Sequence, residues 1–197
     1  MQLADAHAER ENRYMQEPEW EKATEKEIWE FVAVHLQKNG IDTVLVGGAV
    51  VAIYTSGIYQ SGDLDFVKSR FDQVERILKE IGFARKGKHF VHPRCKHIII
   101  EFVDDPVAIG EDYRIVPASK KIENTTIKIL SPTDCIKDRL SSFIYWKSRD
   151  ALDQAILVAQ HNKHDIGEIE RWCRKEGKEA LVAFEEFRRL LESAESP

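Results

Sequence analysis

The chain has 197 residues, of which 43% are hydrophobic and 32% are charged, a composition typical of a globular protein with a buried core. The formal net charge of -5 argues against a generally basic surface, so any contact with a polynucleotide has to use a local basic patch. Three well-separated cysteines without a Cys-x-x-Cys pair argue against a disulfide framework or a structural zinc site.

The first two thirds of the chain predict a mixed α/β arrangement. Hydrophobic spacing, β-branched runs and turn residues predict these elements. In chain order they are a helix that includes Ile28–Leu36, a strand over 43–46, a short helix over 49–55, a strand over 63–67, a helix over 71–81, a hairpin over 83–91, and strands over 97–103 and 125–130.

After residue 130 the pattern changes to helices. Ser131 is a suitable N-cap with Pro132 at the first helical position, and Asp165 and Glu168 have the spacing of a capping box. The fold class expected is therefore α/β (α+β), with a mixed-sheet domain followed by a small C-terminal helical domain. The expected boundaries are a loosely ordered N-terminus over 1–17, the α/β domain over 18–130 and the helical domain over 131–197.

Asp63 and Asp65 are the centre of the functional prediction. Because they are two residues apart on a predicted strand, both carboxylates point to one face, and Leu64 and Phe66 point to the other. Carboxylates this close repel each other unless a cation lies between them. Hard oxygen ligands suit Mg²⁺ or Mn²⁺, which also bind triphosphate oxygens. Taken alone, an Asp-x-Asp pair is more often a solvated pair at the end of a strand.

Gly47 and Gly48 follow the first predicted strand and open a short helix. Without side chains, their backbone N–H groups can approach a phosphate, and the start of a helix favours an anion. With Ser61, they are the candidate contacts for the phosphate tail of a nucleotide. A Gly-Gly pair by itself is more often only a tight turn.

Glu101 is a charged residue inside an otherwise apolar strand, Ile98 to Val103. Burying an unpaired charge is expensive, so a position beside a metal would explain it. Glu101 is then the third candidate, either as a metal ligand or as the catalytic group that takes a proton from the acceptor hydroxyl. The alternative is an edge strand in which Glu101 faces water.

These features occur in an order that resembles a known superfamily. The Gly-Gly, the segment S-G-D-L-D-F and an acid on a later strand resemble the polymerase-β-type nucleotidyltransferases. The segments L-S-P-T-D-C-I-K-D-R-L and W-K-S-R-D-A-L-D-Q-A are similar to the helical part of the abortive-infection and toxin-type (AbiEii-like) branch, and E-F-V-D-D-P-V-A-I-G is similar to its relatives. Tyr59 and Gln60 occupy the region in which that branch often has an arginine.

The resemblance implies metal-dependent transfer of a nucleotidyl group from a nucleoside triphosphate. The acceptor would be an RNA end, a protein or a small molecule, and the resemblance also implies a toxin-like role. In the AbiEii-like branch a helix lysine and a later aspartate join the strand aspartates, and these are Lys137 and Asp153 here, with Lys137 also binding nucleotide. From the residues alone, Lys137 could equally be a surface ion pair, and Asp153 a surface acid. The alternative function is a catalytically weak nucleotide-binding or partner-binding module on the same fold.

The remaining expectations concern partners and location. Lys86, Lys88, Arg94 and Lys96 form a basic cluster that is either a solvated face or a contact for RNA. His89, His92, His97 and Cys95 fit no standard zinc spacing. No apolar run reaches the roughly 20 residues of a membrane span, and the start of the chain lacks a secretory signal. The expectation is a cytoplasmic protein without membrane contact, with a protein partner such as an antitoxin.

Overall fold

The computed structural model describes residues 16–68 and 73–195 of the chain. The elements in chain order are α1 Glu25–Lys38, β1 Thr43–Val46, α2 Gly48–Tyr54, β2 Asp63–Lys68, α3 Val74–Glu80, β3 Ala84–Lys86, β4 His89–His92, β5 Cys95–Asp104, β6 Ala118–Ile122, β7 Thr125–Ile129, α4 Pro132–Trp146, α5 Arg149–His161, α6 Ile166–Glu176 and α7 Lys178–Glu195.

The strands form one mixed seven-stranded sheet in the order β3-β4-β5-β2-β1-β7-β6. β2 runs antiparallel to β1 and parallel to β5. β1 also pairs in parallel with β7, whereas the two hairpins at the sheet edges are antiparallel. The predicted fold class, a mixed sheet combined with helices, is confirmed.

The core forms because each element presents one apolar face to the others. In α1, Ile28, Val32 and Leu36 are fully buried, as expected for an amphipathic helix on a sheet. In β2 and β5, Leu64, Phe66 and Ile100 are fully buried. The buried residues of the sheet and of the C-terminal helices belong to one continuous hydrophobic cluster.

The helices of the C-terminal part begin where the sequence predicts. The Ser131 side chain accepts a hydrogen bond from the backbone N–H of Asp134 at the start of α4, and Asp165 accepts one from Glu168 at the start of α6. Each side-chain cap satisfies a helix N–H that has no partner within the helix.

Two hydrogen bonds join the C-terminal helices to the preceding part of the chain. Asn162 Nδ2 donates to the carbonyl oxygen of Tyr54, and Trp172 Nε1 donates to the carbonyl oxygen of Ile109. Beside them, Tyr54 Oη donates to the carbonyl oxygen of Leu130. The first two bonds tie the end of α5 to α2, and α6 to the loop after β5, across the boundary expected at residue 130.

Some expectations differ from the structure or are not tested by it. β6 was not predicted, because the segment 118–122 alternates between half-buried and exposed residues and has no strongly apolar face. The helix expected over 71–81 is observed from Val74, and its first residues lie outside the described part of the chain, as do residues 1–15. The domain boundaries stay a prediction. No described helix is long and apolar enough to cross a membrane.

Candidate functional site

The two strand aspartates lie on one face of β2, at the end of the strand nearest the start of α2. Asp63 and Asp65 are half-buried, whereas Leu64 between them and Phe66 after them are fully buried in the core. This is the alternation expected of a strand with one face on the core. The two carboxylates therefore share the face of β2 opposite to the one that packs into the core.

Glu101 is brought beside Asp65 by the pairing of β2 with β5. The two strands are parallel, and Asp65 lies directly opposite Glu101 in their register. Neighbouring strands are about 4.8 Å apart, and directly opposite residues point to the same face. β5 is an interior strand between β4 and β2, so the edge-strand alternative for Glu101 is wrong. The three predicted acids converge.

The pKa of Asp65 shows the effect of bringing these acids together. Burial raises the pKa of the Asp65 carboxyl to about 6, and the negative charges of Asp63 and Glu101 add to the shift, while Arg139 opposes it. Burial and like charges both disfavour a carboxylate. A bound cation would remove both penalties.

Gly47 and Gly48 lie directly against these acids. Gly47 has a φ of +75°, and a Cβ at this position would be 2.5 Å from Asp65 Oδ2. A Cβ on Gly48 would be 2.9 Å from Ser61 Oγ. Only glycine fits at the first position, on grounds of both conformation and space. The backbone of the Gly-Gly turn thus closes over the aspartates.

Ser61 orients an aspartate in this structure. Its hydroxyl donates a 2.7 Å hydrogen bond to Asp63 Oδ1, and its backbone N–H donates to Glu25 Oε1 at 2.8 Å. Glu25 is itself buried in the first turn of α1. The loop before β2 is therefore fixed from the core side.

Arg139 is a cation of the site that the sequence analysis missed. It lies on α4, its side chain is 15% exposed, and its positive charge acts on both Asp65 and Tyr59. The guanidinium donates to Asp138 Oδ2 at 2.6 Å and to Gln154 Oε1 at 3.2 Å. The available signal was helical spacing, because Arg139 lies four residues after Cys135 and three after Ile136, both fully buried, and a charge on that face needs partners.

Lys137 is buried, in contrast to the surface ion pair that the sequence allowed. Its side chain is only 3% exposed, and Nζ lies 2.6 Å from Asp134 Oδ1 and 2.8 Å from Glu168 Oε1. It therefore joins α4 to α6. Lys137 is therefore in an ion pair, but the pair is buried and not on the surface. Its predicted role in nucleotide binding stays a prediction. Asp153 is exposed on α5, and its charge acts on Arg149.

The three histidines near the hairpin lie in different surroundings. His92 stacks on Trp20 with ring centroids 4.0 Å apart, and His97 Nε2 contacts the carbonyl oxygen of Ala23 at 2.9 Å. His89 instead contacts Glu101. Among the described residues, no group of three or more histidine, cysteine or acidic side chains is already arranged to hold a metal ion.

Comparisons with known proteins identify the fold. No protein-family model and no curated protein matches the chain. The structure is similar to that of an antigenic nucleotidyltransferase-like protein from Paracoccidioides brasiliensis, with 17% identity, a TM-score of 0.60, and coverage of 86% of this chain and 91% of that chain. A structure of ANT(2″)-Ia in complex with adenylyl-2″-tobramycin has 12% identity and a TM-score of 0.45, covering 82% of this chain and 95% of that chain. The first similarity shows that the chain has a nucleotidyltransferase-like fold.

Proposed function

We propose that the protein is a metal-dependent nucleotidyltransferase that moves a nucleotidyl group from a nucleoside triphosphate to an acceptor. The observation that carries the proposal is the convergence of Asp63, Asp65 and Glu101 beneath the Gly-Gly turn. Three carboxylates on one face of interior strands lower the stability of the fold through burial and mutual repulsion. A bound cation would explain why they are grouped.

The donor set fits Mg²⁺ or Mn²⁺. All three candidate ligands, Asp63, Asp65 and Glu101, supply hard carboxylate oxygens, and the raised pKa of Asp65 marks the charge that a cation would relieve. Mg²⁺ usually keeps several waters and is held by one or two carboxylates together with substrate phosphates. When bound, the metal supplies polarisation of the phosphate and stabilises the attacking and leaving oxygens.

The chain's own residues have separate tasks in this proposal. Asp63 and Asp65 hold the metal from β2, and Glu101 completes the metal site from β5. Ser61 fixes the Asp63 carboxylate through its hydroxyl, and it becomes available to the phosphate tail if that bond exchanges. The backbone of Gly47 and Gly48 faces the phosphates, because no side chain fits there. Catalysis is then mainly positioning and electrostatic stabilisation.

Arg139 supplies the positive charge for the triphosphate in this proposal. Its charge reaches Asp65 and Tyr59, whereas Nζ of Lys137 is occupied by two carboxylates. A guanidinium carries five donors, so Arg139 can keep its contacts with Asp138 and Gln154 and still donate to a phosphate. Lys137 would have to leave a buried acid unpaired to do the same.

The acceptor and the narrower family are further parts of the proposal. The sequence resemblance supports the AbiEii-like, toxin-type branch and a protein partner such as an antitoxin. An RNA acceptor is supported by Lys86 and Lys88 in and beside the exposed edge strand β3, whereas Arg94 is paired with Glu21. The molecule to which the nucleotidyl group is transferred will show whether the acceptor is RNA, a protein hydroxyl or a small molecule.

The experiment is to incubate the protein with each nucleoside triphosphate labelled at the α-phosphate, Mg²⁺ and a cell extract, and to find where the label goes. We expect label on one acceptor class, lost with a chelator and reduced at least about 100-fold in Asp63→Asn and Asp65→Asn, in line with the loss of a metal ligand. Asp112→Asn, which removes a loop carboxylate paired with Arg114, is the matched control and should keep full activity.

Two other outcomes have defined meanings. Metal-dependent nucleotide binding without transfer would favour the alternative of a catalytically weak binding module. If neither Mg²⁺ nor any triphosphate binds, or if the aspartate variants behave like the wild-type protein, the proposed function is wrong.

A further inference from the structure

His89 lies next to the third acid in a row of side chains that crosses the sheet. Asp65 on β2 is opposite Glu101 on β5. β4 pairs antiparallel with β5, with Phe90 opposite Ile100, so the next pair in that register is His89 and Glu101. His89 Nδ1 is 2.5 Å from Glu101 Oε1. The imidazole therefore approaches Glu101 from the side opposite to Asp65.

The burial of the Nδ1 atom of His89 leaves Glu101 as the acid within its reach. His89 Nδ1 is buried and makes no hydrogen bond among the described residues, and the Glu101 carboxylate is the acid that it contacts. The side chain as a whole is 40% exposed, and that of Glu101 is 32% exposed. The pair therefore lies at the partly exposed face of β4 and β5.

The ring is placed to act on Glu101 and on no other described acid of the site. Val91, the next β4 residue on the same face, is opposite Ile99 and offers no polar group. On the other side of β4, Lys86 of β3 is the residue opposite His89. The order across the face is thus Asp65, Glu101, His89 and Lys86.

We propose that His89 is a positioning residue of the candidate site, whose imidazole holds the Glu101 carboxylate facing Asp65 for metal binding. The proposal rests on the proposed function. Carboxylates that bind metals are themselves hydrogen-bonded as a rule, and removal of the outer partner typically costs about 10- to 100-fold in metal affinity or activity. Without this contact, Glu101 would turn away from two negatively charged neighbours.

The test is a double-mutant cycle at one fixed pH. The variants are His89→Ala, His89→Asn, Glu101→Gln and the double variant His89→Ala/Glu101→Gln. Mn²⁺ affinity is measured by calorimetry in the presence of a nucleoside triphosphate, and kcat and KM are measured separately. Thermal unfolding shows that each variant is folded. His161→Ala, which removes an exposed histidine at the end of α5, is the matched control.

We expect His89→Ala to weaken Mn²⁺ binding about 10-fold or more and to lower kcat with little change in the KM for nucleotide. His89→Asn retains an N–H donor near the position of Nδ1 and should recover most of the affinity. In the Glu101→Gln background, His89→Ala should have no further effect, because the residue acts through Glu101. His161→Ala should bind Mn²⁺ like the wild-type protein.

An unchanged Mn²⁺ affinity in His89→Ala, or an equal loss in both backgrounds, would overturn the inference. The two proposals fail in different ways. If wild-type binding depends on Asp65 but not on His89, only the role of His89 is lost. If the wild-type protein binds no Mn²⁺ with nucleotide, the proposed function and this inference are both wrong.

Discussion

Asp65 is the residue at which function and stability conflict most directly. Its carboxyl is enclosed by the Gly-Gly turn, by Asp63 and by Glu101. Burial and like charges disfavour the ionised form that a metal site requires. Such local strain is typical of functional sites and is paid for by the rest of the fold.

We predict that Asp65→Asn stabilises the protein in the absence of metal. The pKa of Asp65 rises from 3.8 to about 6 on folding, so its ionised form opposes folding above that range. One pKa unit corresponds to about 1.4 kcal/mol. Allowing for partial exposure, we expect a gain of about 1–2 kcal/mol in the free energy of unfolding at pH 7.5, measured with urea and a chelator.

The pH dependence provides the control for this prediction. The folded pKa is raised, so the stability linked to protonated Asp65 is present below about pH 3.8 and lost as the pH rises through 6. The difference between variant and wild type should therefore shrink as the pH falls from 6 towards 4. A constant difference over that range would mean that the gain has another cause. Asp153→Asn, at an exposed acid of α5, should change stability little.

At the scale of elements, α4 carries two cations with different surroundings. Lys137 faces α6 and is bound by Asp134 of its own helix and by Glu168 of α6. Burial alone would lower its pKa, but these hydrogen bonds raise it. Arg139 faces the sheet, where its charge acts on Asp65. One helix therefore joins the C-terminal bundle and also contributes to the candidate site.

We predict that the two cations separate in mutagenesis. Lys137→Met leaves Asp134, which is 6% exposed, without its partner and should destabilise the protein by about 3 kcal/mol. Its affinity for a nucleoside triphosphate should not change. Arg139→Gln should weaken triphosphate binding about 10-fold or more and affect a monophosphate less. Calorimetry with a triphosphate and a monophosphate measures the affinities, and urea unfolding measures the stability.

The opposite result has a clear meaning for Lys137. If Lys137→Met stays folded and loses triphosphate binding selectively, the role implied by the sequence resemblance is correct and Arg139 is not the phosphate cation. Equal loss of triphosphate and monophosphate in Arg139→Gln would count against a contact with the phosphate tail.

At the scale of the whole molecule, two histidines connect acidity to stability. Burial lowers the pKa of His35 and of His92 below 6.5, because the charged ring is disfavoured away from water. A lowered folded pKa means that the unfolded chain binds protons first as the pH falls. Their contribution to stability is complete above pH 6.5 and is lost below it. Between about pH 4 and pH 6, the titration of Asp65 changes the free energy of unfolding in the opposite direction.

We therefore predict an acid-induced loss of stability that is clearest without Asp65. In Asp65→Asn, the free energy of unfolding should fall as the pH decreases from 7.5 to 5.5. Adding His35→Gln and His92→Gln should reduce that slope, whatever their effect at pH 7.5. Urea unfolding at several pH values measures it. An identical slope in both proteins would assign the acid sensitivity to other groups.

The sequence by itself determined the features that depend on neighbouring residues. Alternation along β2 placed Asp63 and Asp65 on one face and Leu64 and Phe66 in the core, as the structure confirms. Side-chain chemistry likewise predicted the cap at Ser131. These features follow from the period of a strand and from the unpaired N–H groups at the start of a helix, both of which are local.

Only the tertiary structure decided which distant residues meet. The parallel pairing of β2 with β5 put Glu101 beside Asp65, and the packing of α4 turned Arg139 towards the sheet and buried Lys137 against Glu168. The hairpin register brought His89 to Glu101. Strand order and helix packing arise from long-range burial of apolar faces, and that burial is not encoded in the spacing of any single segment.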